Sequence, residues 1–214
     1  MPQIILKNAI VKRLEELGYQ RPSHLKTPSG AWTLKSTLLN GNADVEIKDN
    51  NSFEVTMTDR LFAECLYTDF YYGYERILKQ NNCLPVLLKE NNTPKAWSLV
   101  TAYYSAFFAA IEIGKILGRL NTYLERSHCN QIQGNSSNSF QGGLEAGNYL
   151  GAARLDTHQG YVMIRFNSSG ERPHQMAWKN LSDMFPNTKG KNLSSARQQQ
   201  IKLFKEIIYN IGLK

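Results

Sequence analysis

The chain has 214 residues, 42% of them hydrophobic and 11% aromatic, with a formal net charge of +7. That is enough apolar material for one core, or for one core with a small appended lobe, so one compact domain is expected. Three cysteines, Cys65, Cys83 and Cys129, with no C-x-x-C pair among them, argue against a disulfide framework and a zinc knuckle, so reduced thiols and no metal or other cofactor are expected.

In chain order, Leu6, Ile10, Leu14 and Leu17 recur at helical spacing and predict an amphipathic helix over residues 3–17, stopped by Gly18. Lys7, Lys12, Arg13, Glu15 and Glu16 interrupt that segment, which predicts neither signal peptide nor anchor and a cytoplasmic protein. Period-two alternation follows: Val45 and Ile47, then Phe53, Val55 and Met57, flank Asp49-Asn50-Asn51 and predict a β-hairpin. A helix is expected from Thr58, whose hydroxyl can cap it, to the Asn81-Asn82 break, with Gly73 a weak point inside it. A short helical turn is expected over residues 84–89.

The sequence "AWSLVTAYYSAFFAAIEIGKILG", residues 96–118, has no charge before Glu112. A membrane span needs about 20 predominantly apolar residues. The uncharged run is shorter, and Ser98, Thr101 and Ser105 lie within it, so a buried core helix is expected, started by Thr93 and Pro94 and stopped by Gly118. After it, "CNQIQGNSSNSFQGGLEAGN" carries little to bury and predicts a mobile loop or an insertion. Val162, Ile164 and Phe166 then alternate on the second strand of another hairpin, with its turn near residues 156–160. Two last helices are expected over residues 176–185 and 195–212, the latter with an inner stripe of Ile201, Phe204, Ile208 and Ile211.

Charge is unevenly distributed. Residues 1–35 hold six basic and two acidic groups, residues 36–112 six and ten, residues 113–170 five and three, and residues 171–214 eight and three. The basic ends, if they meet, make a patch suited to a phosphate backbone, with Lys7, Lys12, Arg13, Lys179, Lys189, Lys191, Arg197, Lys202 and Lys205 as nucleic-acid-binding candidates. An ordinary solvated surface, or a docking face for an acidic protein, accounts for the same charges. Catalytic signatures are missing: there is no phosphate-binding G-x-x-x-x-G-K-[ST], no G-x-S-x-G and no H-E-x-x-H, and His24, His128, His158 and His174 all fall in expected loops or turns.

In the central segment, Tyr103, Tyr104, Ala106 and Phe107 form a pattern that resembles the aromatic and alanine-rich core helix of HEPN-type domains, helical bundles of prokaryotic toxin and antiphage systems. The resemblance implies a mainly α (α+β) fold: an N-terminal helix and β-hairpin lobe over residues 1–57, then a helical bundle over 58–214 with a loop and hairpin insertion at about 129–170. The family's ribonucleases resemble one another in an arginine followed after four to six residues by a histidine, the histidine acting as base on the ribose hydroxyl and the arginine steadying the phosphate. Here Arg126 and His128, Arg154 and His158, and Arg172 and His174 lie too close together to match. The expected function is therefore a non-catalytic partner or scaffold subunit, bound to another protein such as an ATPase or nuclease, or to copies of itself, and to no membrane. One alternative is an endoribonuclease using Arg154, His158, Arg172 and His174, which a hairpin could gather. A second is a stand-alone DNA- or RNA-binding module.

Overall fold

A computed structural model describes residues 28–89, 94–116, 118–156 and 160–184. The expected helices over 3–17 and 195–212, the Thr93 cap, His24, His158 and the basic candidates Lys7, Lys12, Arg13, Lys189, Lys191, Arg197, Lys202 and Lys205 lie outside the described residues.

A short 3-10 turn, Gly30–Trp32, leads into α1, Leu34–Leu39, where the Thr33 hydroxyl accepts a hydrogen bond from the Ser36 N–H. Strands β1, Asp44–Asp49, and β2, Ser52–Thr58, form the first expected hairpin. The long helices α2, Asp59–Lys89, and α3, Lys95–Ile116, follow. Next come β3, Arg119–Leu124, α4, Arg126–Gly134, β4, Gly147–Asp156, β5, Tyr161–Ser169, and α5, Pro173–Met184.

All five strands join one antiparallel sheet in the order β1-β2-β5-β4-β3. This corrects the expected helical bundle with a separate hairpin lobe and a hairpin insertion: the architecture is α+β, and its principal core is the inner face of the sheet. Alternation on β2 and β5 sends Phe53, Val55, Met57, Val162, Ile164 and Phe166 to that face, where Leu38, Phe62, Cys65, Leu66 and Ile132 cover them. Phe53 and Phe166 stack with centroids 4.8 Å apart, and Tyr149 tilts against Phe53 at 5.4 Å. Gly151 lies beneath Phe166; a Cβ there would meet the ring at 2.5 Å, so β4 must be bare at this point.

Three local expectations also change. β3 lies where no strand was expected, and its core-facing Leu120 and Leu124 complete the sheet. α2 continues unbroken through Asn81 and Asn82 to Lys89 with Pro85 inside it, although Thr58 does cap its start by accepting from the Leu61 N–H. The segment expected to be a mobile loop is α4 followed by an ordered strap. Cys129, Ile132 and Leu144 are buried, and Phe140 packs on the core.

That strap covers the free edge of β1. The Ile47 N–H donates to Asn138 Oδ1 at 2.9 Å, Asn138 Nδ2 donates to the Ile47 carbonyl at 2.7 Å, and the Ser137 N–H donates to the Val45 carbonyl at 2.8 Å. One side chain thus serves both polar groups of an edge residue, as a neighbouring strand would. Asn138→Ala is expected to cost about 2 kcal/mol in urea unfolding, because a part-buried donor and acceptor both lose their partner, and to increase aggregation from the uncovered edge.

Candidate functional site

α2 and α3 pack antiparallel, and the pair is organised around one glycine. A helix interior disfavours Gly by about 1 kcal/mol relative to Ala, which is why Gly73 weakens the helix by sequence alone. In the structure Gly73 is buried opposite Glu112, and a Cβ built on it would overlap the Glu112 carboxyl group. The missing side chain is the space in which that carboxylate sits. Lys115 Nζ donates to Glu112 Oε1 at 2.9 Å within α3, while Glu112 Oε2 is buried with no hydrogen-bond partner among the described residues. Asp69 lies close enough to interact with both Glu112 and Lys115, and it accepts a hydrogen bond from the Leu34 N–H at the start of α1. Arg76 adds a further positive charge and stands 6.0 Å over the Phe108 ring.

Burial, the largest cause, pushes the Glu112 carboxyl above its ordinary range; the Asp69 charge adds to this, while Lys115 and Arg76 oppose it. Asp69 is raised as well, again mainly by burial against the pull of Lys115. Chemically, this is a pair of carboxyl groups disposed to retain a proton, enclosed between helices. The raised acid means that the folded state binds more protons than the unfolded chain. Its stabilising effect is therefore complete below the ordinary carboxylate range and lost as pH rises through the raised value. Glu112→Gln is expected to match the wild type near about pH 4 and to become relatively more stable toward about pH 7, as followed by urea midpoints. Gly73→Ala should cost about 1–3 kcal/mol despite its better helix propensity, whereas in a Glu112→Ala background the same change should be neutral or stabilising in unfolding measurements.

The opposite side of α3 departs from the expected core helix. Phe107, Ala110, Glu112 and Gly114 are buried, but Trp97 is 61% exposed, Leu99 73% and Tyr103 43%, with Val100 and Tyr104 also open. α2 shows a second such stripe, Tyr67, Tyr71, Tyr74 and Leu78, at spacings of four, three and four. α3 is also the one described helix long and apolar enough, by length and composition, to cross a membrane, and its Glu112–Lys115 pair is enclosed within the protein.

α5 seats against the middle of the exposed face of α3. The His174 ring stacks on Phe107 with centroids 4.1 Å apart, and its Nδ1 lies 2.9 Å from the Tyr103 hydroxyl. Trp178 Nε1 can only donate, and it reaches the Tyr103 oxygen at 3.4 Å. Asn180 Nδ2 donates to Asn121 Oδ1 at 2.8 Å, fastening α5 to β3.

Of the residues singled out in the sequence, Lys179 is on α5 in an ion pair with Glu171, Arg172 is exposed just before α5, and Arg154 is exposed on β4. The hairpin does not gather the last two. Arg154 faces Met163 near the start of β5, whereas Arg172 and His174 follow its far end, about 20 Å of strand later at ~3.3 Å per residue. His174 and His128 occupy helices rather than loops; His128 Nδ1 accepts from the Glu125 N–H at the start of α4. Cys65 and Cys129 are buried, Cys65 with its sulfur 3.1 Å from the Thr37 hydroxyl and its thiol pushed up to about 11 by burial, while Cys83 is exposed. Glu112 and Asp69 were not among the candidates, although a single carboxylate in an otherwise uncharged helical run is a visible signal. Comparison with known proteins finds no family model, no curated protein and no solved structure that matches the chain.

Proposed function

We propose that the chain is a non-catalytic binding subunit that docks a second polypeptide on the exposed face of α3. The observation that carries this reading is the contiguous run of Trp97, Leu99, Val100, Tyr103 and Tyr104, all open on one helix. Contiguous apolar surface of this kind marks interaction sites, and tryptophan and tyrosine supply large contact area for little lost side-chain freedom. The seat of the Glu112 carboxyl group at Gly73 and the Ser105–Asn81 hydrogen bond hold α3 against α2, so the face is presented on a fixed support. The resemblance of α3 to HEPN core helices suggests the setting, a multi-protein toxin or antiphage complex in a prokaryotic cytoplasm, with an ATPase or nuclease subunit, or another copy of the chain, as the partner.

A photo-cross-linking residue at Leu99, installed in the full chain in its native cell, tests the reading alongside the same residue at exposed Lys79. A specific cross-link from position 99 to one polypeptide, lost in a Trp97→Ala, Tyr103→Ala variant, is the expected result. In sedimentation velocity, a self-partner would show as a dimer that the same variant dissociates. A cross-link confined to the chain's own residues 1–27 or 185–214, or no cross-link together with a monomer at high concentration, would overturn it.

A further inference from the structure

The outer face of the sheet divides by charge. Residues that alternate away from the core fall into rows across the strands, and the first row reads Arg119, Ala152, Arg165, Glu54, Glu46 from β3 to β1. The next row reads Arg154, Met163, Thr56, Asp44. The β1–β2 half therefore carries the carboxylates of Asp44, Glu46 and Glu54, with Lys48 held by Glu46 at 2.7 Å and Glu54 at 3.1 Å. The β3–β4–β5 half carries three arginines, with Asp156 at the β4 register position opposite Tyr161. All three are exposed, and Arg165 reaches Glu54 only at 4.0 Å.

Strands lie about 4.8 Å apart, so Arg119 and Arg165 stand about 10 Å apart across Ala152, with Arg154 one row beyond. Small Ala152 leaves the floor between them flat. Met163 is 45% exposed in the Arg154 row, and Tyr161, 43% exposed, is next along β5 on the same face.

We infer that this half of the sheet binds single-stranded nucleic acid, the three guanidinium groups contacting successive phosphates while Tyr161 and Met163 receive a base. Charge complementarity selects a polyanion, and guanidinium forks match phosphate oxygens. The open tyrosine ring beside the arginines selects a single strand, because only an unstacked base offers its face to such a platform. None of these residues belongs to the α3 docking face or to the basic termini, so this surface stands or falls independently of the proposed function.

Fluorescence anisotropy of the full chain with labelled oligouridylate and oligothymidylate at several salt concentrations tests the inference, with a duplex of equal length and polyglutamate as competitors. Binding at low salt should weaken steeply as salt rises. For single strands each phosphate contact contributes ~0.7 to the log–log salt slope, so the Arg119→Ala, Arg154→Ala, Arg165→Ala variant should lose about 2 from that slope and bind at least about tenfold more weakly. Each single arginine substitution should give a smaller loss. Tyr161→Ala should weaken binding roughly fivefold or more through lost stacking, while Lys79→Glu on α2 leaves it unchanged. No binding at low salt, or binding undiminished in the triple variant, would overturn the inference. Equal competition by duplex, or by polyglutamate with Tyr161→Ala without effect, would overturn it too, the last in favour of an acidic protein.

Discussion

The pairing of β2 with β5 along the whole of β2 holds the molecule together. It joins two hairpins that lie on either side of the long helices in the chain, so that Thr58 stands beside Tyr161 and Ser52 beside Asn167. Once that register is set, alternation puts Phe53 opposite Phe166 and Val55 opposite Ile164 on one face, and a slip of one residue would turn all of these side chains to the other face. The Phe53–Phe166 stack in turn requires the bare backbone of Gly151 on the next strand. The Asp59 N–H donates to the Gly160 carbonyl at 3.0 Å, which ties the start of α2 to the β4–β5 turn, so the helical pair springs from one end of the sheet.

A different physical principle governs the helical pair. Its inner contact is made by complementary shape and charge rather than by apolar burial alone: an absent side chain at Gly73 accommodates a carboxyl group whose second oxygen has no partner among the described residues. Buried ionic groups contribute little net stability and are costly to break once one partner is removed, so such a contact specifies how two helices align more than how tightly they bind. The aromatic residues of α3 are thereby left for other uses. Phe107 is covered by His174, whereas Trp97 and Leu99, farther from α5, stay open.

The strap after α4 shows a third kind of economy. Its Asn, Gln and Ser residues do not fill a core; they supply amide and hydroxyl groups where backbone would otherwise go unpaired. Gln133 Nε2 donates to the Phe140 and Gly142 carbonyls, Asn135 Nδ2 to the Leu39 carbonyl, and Asn138 serves both polar groups of Ile47. A composition that suggests a solvated loop is therefore equally suited to closing a sheet edge, because amide side chains reproduce the donor and acceptor of a peptide group.

By itself the sequence determined what local physics can determine. Val45, Ile47, Phe53, Val55 and Met57, and later Val162, Ile164 and Phe166, declare strands because period two is imposed by the pleat, and Thr58 and Gly118 mark ends because an orphan amide or a positive φ selects them. It also showed Glu112 as the first charge in an apolar helix. Only the tertiary structure decided that the two hairpins share a sheet, that Arg119, Arg154 and Arg165 fall on one face of it, that Gly73 faces Glu112, and that the aromatic side of α3 is open. The reason is common to all four. Each is a relation between residues distant in the chain, and helical or strand periodicity gives the side of an element on which a residue lies without saying what, if anything, stands against that side.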